Sequence, residues 1–196
     1  MKKVLFCILL LLLGALPAPA ANLGPDVAVV LIKVGREKVA RRVVIGFYDQ
    51  ATPQTVANFK ELIRRKFYNG LRFHRVFPNS MVQTGDPYSR WGESDKTGTG
   101  GPGYTIPAEI GGKISRGSLT TSRLPDDINP ARASSGSQFY FALRPLPSLD
   151  GKNTVFGEVL EGIEVLDAIS NETTDSNDFP VKKIVIKSIT LEPRGS

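Results

Sequence analysis

Short β-branched and aromatic segments recur along most of this chain, each closed off by Gly, Pro, Asn or Asp, and only two stretches break the pattern with a helical period. "DVAVVLIKV" (26–34) and "ARRVVIGFY" (40–48) flank the charged, glycine-containing "GREK", which predicts an antiparallel pair. Further strands are expected at "LRFHRVF", "MVQTG", "GSLTTS", "SQFYFAL" and "VFGEVL", and the closing "VKKIVIKSITLE" is the most β-branched of all. In "ATPQTVANFKELIRRKFYNG" (51–70) Thr52 is placed to cap, Pro53 suits a first turn, and Val56, Phe59, Leu62 and Ile63 share a face; the helix should end at Asn69-Gly70. "EGIEVLDAIS" (161–170) puts Ile163, Leu166 and Ile169 on one face of a second, shorter helix. About eight strands and two helices, with no linker or repeat, predict a mainly-β domain: a closed eight-stranded antiparallel barrel capped by two α-helices.

Residues 1 to 21, "MKKVLFCILLLLLGALPAPAA", read as a secretory signal: Lys2 and Lys3, an apolar run from Val4 to Leu16, then small residues around Ala18-Pro19-Ala20. The run is shorter than the roughly 20 apolar residues a span needs, so a membrane anchor is the weaker reading. Cleavage near Ala20 divides the chain into a signal peptide (1–20) and one domain (21–196), exported to a periplasm or the exterior, with no stable membrane insertion afterwards. It also removes Cys7, the chain's single cysteine, and with it disulfides, thiolate ligands and cysteine nucleophiles. The formal charge of +6 drops to +4 on losing Lys2 and Lys3. No long basic run with interleaved aromatics is present, which argues against nucleic acid as a partner.

Elimination narrows the site. The one histidine, His74, forbids a two-histidine metal centre, and no serine stands in G-x-S-x-G, so neither zinc chemistry nor a serine triad is expected; a histidine flanked by Phe73 and Arg75 on a strand is read as structural. "GTGGPG" (98–103) has the letters of a dinucleotide loop, but it follows no strand and opens no helix, so it reads as a flexible loop. Asp126-Asp127 and Glu158-Glu161 read as solvated surface. No metal and no cofactor is expected.

Three ordered motifs carry a family resemblance. "FHRVFPNSMVQTGDP", then "SSGSQFYFAL", then "LDGKNTVFGEVLEG" resemble the signature of the cyclophilins over most of the mature chain, and "GTGGPGYTIPAE" is similar to bacterial members most of all. The resemblance implies peptidyl-prolyl cis/trans isomerase activity on proline-containing polypeptides. It implies Arg75 as the donor to the proline nitrogen and Gln83 as the residue holding it and the substrate backbone. Phe73, Met81, Ser122, Gln138, Phe139, Tyr140, Leu149 and Asn153 would form the substrate-facing set, and the molecule would act as a monomer.

Several positions depart from that pattern. Tyr140 stands where the family has a pocket-floor phenylalanine, adding a hydroxyl that needs a partner. Ser80 and Ser148 replace pocket aromatics, Ser122 an alanine, and Asn153 a histidine or tyrosine. "YSRWGESDK" (88–96) looks inserted, and its Trp91 is read as a surface-loop residue in preference to one folded back on the site. These changes leave two readings: an isomerase for exported proteins, or a proline-peptide-binding, chaperone-like module with weak or no turnover.

Overall fold

Side-chain alternation decides which residues of a strand enter the main core, as along residues 139–142, where Phe139 and Phe141 do and Tyr140 and Ala142 do not. The computed structural model describes residues 23–195, so the expected signal peptide lies outside the described residues. The chain forms β1 (Asp26–Val34), β2 (Arg41–Phe47), α1 (Pro53–Arg64), β3 (Arg75–Phe77), β4 (Met81–Thr84) and a 3-10 turn (Pro87–Trp91). There follow β5 (Thr105–Ile106), β6 (Ser118–Thr121), β7 (Ser134–Ser135), β8 (Phe139–Ala142), a second 3-10 turn (Pro147–Leu149), β9 (Val155–Glu161), α2 (Ile163–Ser170) and β10 (Ile184–Pro193). Eight strands make one antiparallel sheet in the order β10-β1-β2-β9-β6-β8-β4-β3, while β5 and β7 pair separately.

The sheet curls around an apolar core to which both helices contribute. Phe59 of α1 is its hub, with ring centroids 5.0 Å from Tyr68, 5.1 Å from Phe139 and 5.2 Å from Phe156. Val56, Leu62 and Ile63 join it from the same helical face, as the periodicity predicts, and α2 adds Leu166 and Ile169. The result is a mainly-β fold with two helices, as expected.

Three local expectations need correction. Thr52 occupies the N-cap of α1, but its hydroxyl donates to Tyr48 O and caps nothing. The cap comes from a remote carboxylate: Glu109 accepts from Gln54 N–H (3.0 Å) and from Thr55 N–H (2.9 Å). The helix ends at Arg64 rather than at Gly70, because Lys66 takes φ +56° and the chain turns to bury Tyr68 in the core. The strand expected over 71–77 begins only at Arg75. The segment before it reaches β10 by Gly70 N–H to Ile186 O (2.8 Å), Ile186 N–H to Leu71 O (2.9 Å) and Phe73 N–H to Ile184 O (3.1 Å).

Candidate active site

Register brings the central residues of the site onto one face. Arg75 on β3 lies opposite Gln83 on β4, Gln83 opposite Tyr140 on β8, and Tyr140 opposite Thr120 on β6. Directly opposed residues of an antiparallel sheet point to the same side, so these four form a row across four strands. The next row on that face, two residues along, is Phe77, Met81 and Ala142. Met81, Tyr140 and Ala142 belong to a small apolar cluster outside the main core, completed by Ile114, Leu146, Val155, Tyr48 and Leu149.

Two residues of the expected substrate-facing set lie in the main core instead, Phe139 by alternation and Phe73 because it precedes the regular strand. Phe139 lies between Gln138 and Tyr140 and therefore points inward, where it is 2% exposed in the main core. Phe73, at 1%, is buried in that core as well. Both pack in the main core, away from the face that carries Arg75 and Gln83.

Gln83 anchors the polar side of the site. Its amide donates to Ser122 Oγ at 3.1 Å and to Gln138 Oε1 at 2.9 Å, and its side-chain oxygen Oε1 has no partner among the described residues. Gln138 in turn donates to Gly98 O (2.9 Å) and Gly100 O (2.8 Å). Fully buried Asp86 accepts from Tyr88 N–H and Gly98 N–H. The glycine-rich loop expected to be flexible is thus pinned at two glycines by side chains from β4's end and β8's start. A glycine is required at 85, where φ is +91° and a Cβ would run into Ser137 O and Gln138 Cα; this close approach sets Gln138 beside Gln83. Asn153 is buried and donates to Thr121 O at 3.0 Å, supporting the end of β6.

Arg75 is engaged at one edge of its guanidinium and on one face, with its terminal nitrogens left open. Its side chain is half exposed, with Nε 3.6 Å from Asp178 Oδ2 and Cζ 4.7 Å from the Phe77 ring centre. Neither terminal nitrogen donates a hydrogen bond to any of the described residues. A permanently charged donor with free N–H groups therefore shares a sheet face with an engaged amide and an apolar cluster. No nucleophile and base are paired here, and among the described residues no group of three or more His, Cys, Asp or Glu is placed to hold a metal ion.

Buried polar groups mark the remaining tension. His74 is 4% exposed, and burial, outweighing the nearby Asp86 carboxylate, lowers its pKa to about 4. It is neutral and structural, as expected. The hydroxyls of Tyr140 and Thr120, opposite one another, are both buried without a hydrogen-bond partner among the described residues, and burial raises the Tyr140 pKa.

Beside Ser122 and Gln138 opens a cavity of about 680 Å³. Among the described residues nine large apolar side chains are exposed, and four of them, Tyr88, Tyr104, Leu124 and Ile128, line this one cavity. Its charged residue, Arg123, is fully engaged with Lys152 O, Leu124 O and Asp126. Sequence reading missed this cavity, Asp86 and Asp178, because loops far apart in the chain assemble them. Asp126, taken as solvated, pairs with Arg123 and Arg132, and Glu161 with Arg42. Trp91 stands in solvent at 87% exposure.

The model for "Cyclophilin type peptidyl-prolyl cis-trans isomerase/CLD" matches residues 30–191. Peptidyl-prolyl cis-trans isomerase B of Bacillus subtilis is 42% identical over 127 residues, 63% of this chain and 80% of that one. Peptidyl-prolyl cis-trans isomerase-like 2 of Gibberella zeae is 37% identical over 150 residues, 75% of this chain; the chain spans only 24% of that relative's length. Fungal and bacterial relatives thus stand at comparable identity, and the expected priority of bacterial members is not seen. Among solved structures, the Cryptosporidium parvum cyclophilin-type isomerase superposes with a TM-score of 0.73 at 24% identity, over 86% of this chain and 98% of that one, which shows the fold. With a family model running from β1 into β10 and the signature residues Arg75, Met81, Gln83 and Tyr140 gathered on one sheet face, this chain belongs to the cyclophilin-type peptidyl-prolyl cis-trans isomerase family.

Proposed function

We propose that the domain speeds rotation about Xaa-Pro bonds in polypeptides exported with it. The observation that carries this reading is Arg75 with its terminal N–H groups unengaged, on the same face as Gln83 and the Met81–Tyr140–Leu149 cluster. Rotating a prolyl amide means crossing roughly 18–20 kcal/mol, and no covalent bond breaks, so neither nucleophile nor acid pair is needed. As the amide twists, resonance is lost and the proline nitrogen becomes basic. A donor aimed at that nitrogen stabilises the twisted state over both planar ones. Arg75 is that donor, while the free side-chain oxygen of Gln83 accepts from the substrate backbone. Met81, Tyr140 and Leu149 receive the proline ring, and the neighbouring cavity, with its apolar rim, receives another side chain of the same polypeptide.

Magnitude divides the work. Shortening about 100 s to about 1 ms is a factor of roughly 10⁵, or about 7 kcal/mol, whereas one charged hydrogen bond supplies only about 1.5–3 kcal/mol. The remainder comes from the apolar surface, since the planar amide is the more polar form and loses more on leaving water. The Cryptosporidium parvum protein has also been solved in the presence of the dipeptide Ala-Pro, which accords with a proline ligand here.

Three finer readings accompany this one. The N-terminal charge and apolar run support export with cleavage near Ala20, after which a single domain works as a monomer in a periplasm or the exterior. Backbone bonds from residues 70–73 to β10 support full closure of the barrel, because they join the segment entering one end strand of the sheet to the other end strand. Ser80 and exposed Ser148 favour the second functional reading, a binder of proline peptides with little turnover.

Cis-to-trans rates of a short proline peptide, measured with the chain from Ala21 onward and with Arg75→Ala, separate the two. Fast isomerisation that falls at least tenfold, on the order of 1.4 kcal/mol or more, in the variant supports the enzyme. Near-uncatalysed rates in both, with the peptide still bound, would establish the binder instead.

A further inference from the structure

Asp178 supplies the one carboxylate within ion-pair distance of Arg75 among the described residues, with Oδ2 3.6 Å from Nε. The loop that brings it there is built for placement. Asp178 O accepts from the N–H of Val76, the residue next to Arg75, at 3.0 Å. Asp175 accepts from Asn177 N–H (2.9 Å) and Phe179 N–H (3.0 Å) through one carboxylate oxygen, and Phe179 is buried behind it. Asp178 itself sits at φ +62°, a left-handed conformation that aspartate tolerates better than most residues. The backbone is therefore fastened to β3 on the donor's own doorstep and braced on both sides of the carboxylate.

Arg75 is thereby held from two directions. Asp178 meets the Nε edge, and the Phe77 ring lies 4.7 Å from Cζ. Both contacts spare the two terminal nitrogens. An exposed ion pair of this kind contributes little to stability, but an arginine side chain has many rotamers, and a partner at Nε biases it against those that turn the terminal nitrogens away from the site.

We propose that Asp178 is a positioning residue for the isomerase reaction, orienting the Arg75 guanidinium through Nε so that its terminal N–H groups face the twisting prolyl bond. The inference rests on the reading of Arg75 as the donor. It predicts that losing the carboxylate lowers turnover while leaving substrate binding alone, because the apolar cluster and Gln83 that bind the peptide are untouched.

The test uses the chain from Ala21 onward with Asp178→Asn, which keeps size and tolerance of the left-handed backbone, and Asp178→Gly, which removes the side chain without strain. With Arg75 present, both should lower kcat by about three- to tenfold with KM changed less than about twofold, and the thermal midpoint should stay at the wild-type value. In the Arg75→Ala background neither should lower the residual rate further. Unchanged kcat in the single variants, or the same proportional loss without Arg75, would overturn the proposal. Full activity of Arg75→Ala alone would sink the donor reading and this one with it, and that result is recognised from the Arg75 variant whatever the Asp178 variants do.

Discussion

Tyr140 shows how much a single atom can disturb a site. Its ring packs with Met81 and Leu149, but its hydroxyl is buried opposite the equally partnerless hydroxyl of Thr120. A buried polar group without a partner costs about 1–3 kcal/mol. Tyr140→Phe should therefore stabilise the protein by about 1 kcal/mol, read as a higher urea midpoint; a lower midpoint would mean that the two hydroxyls bond to each other. At this scale the sequence was legible where motif and strand period agreed, as at Arg75, Met81 and Gln83. Phe139 stands inside its motif but packs in the core, a distinction that the period of two along β8 already contained, whereas Phe73 has the parity of Arg75 and reaches the core because no regular strand runs through it. Asp178 carried no local signal, since its partner lies more than a hundred residues earlier in the chain.

Elements of this protein are finished by other elements. The first turn of α1 holds no acidic residue, and Glu109, from the loop between β5 and β6, supplies the missing charge by accepting from two N–H groups and from Thr55 Oγ1 at 2.7 Å. Carboxylates at a helix N-terminus satisfy unpaired donors and complement the helix dipole. Glu109→Ala should cost about 1–2 kcal/mol, seen as a lower urea midpoint and faster amide exchange in the first turn of α1; Glu109→Gln should recover part of that loss by retaining an acceptor. Both helices and the long strands could be read from periodicity, because their apolar faces are long enough to repeat. β5 and β7 could not, at two residues each. The cap on α1 could not either, since Thr52 satisfied every local rule and was overruled by a residue 57 positions later in the chain.

For the molecule as a whole, the single buried histidine sets a pH dependence. His74 has its pKa lowered from 6.5 to about 4, so above pH 6.5 folded and unfolded chains are both neutral there and stability is full. Between pH 6.5 and 4 the unfolded chain takes up a proton that the folded one refuses. Stability should fall by about 1.4 kcal/mol per unit and on the order of 3 kcal/mol in total. Thermal midpoints across pH 7 to 4.5 should show this slope, and His74→Gln should flatten it; an equal slope in the variant would assign it to other groups. The carboxylates whose pKa values are lowered by arginine partners, Glu37, Asp126 and Asp167, act at lower pH. Fold class was legible at this scale because eight β-rich segments with two helices admit few arrangements, while the cavity beside Gln138 was not, being assembled by loops. The exposure of Trp91 carries a practical corollary for optical work. The indole is already hydrated in the native protein, so its fluorescence reports the arrival of something at the 87–91 turn far better than the loss of the fold, and the signal of the core belongs to Tyr68 and the rings packed on Phe59.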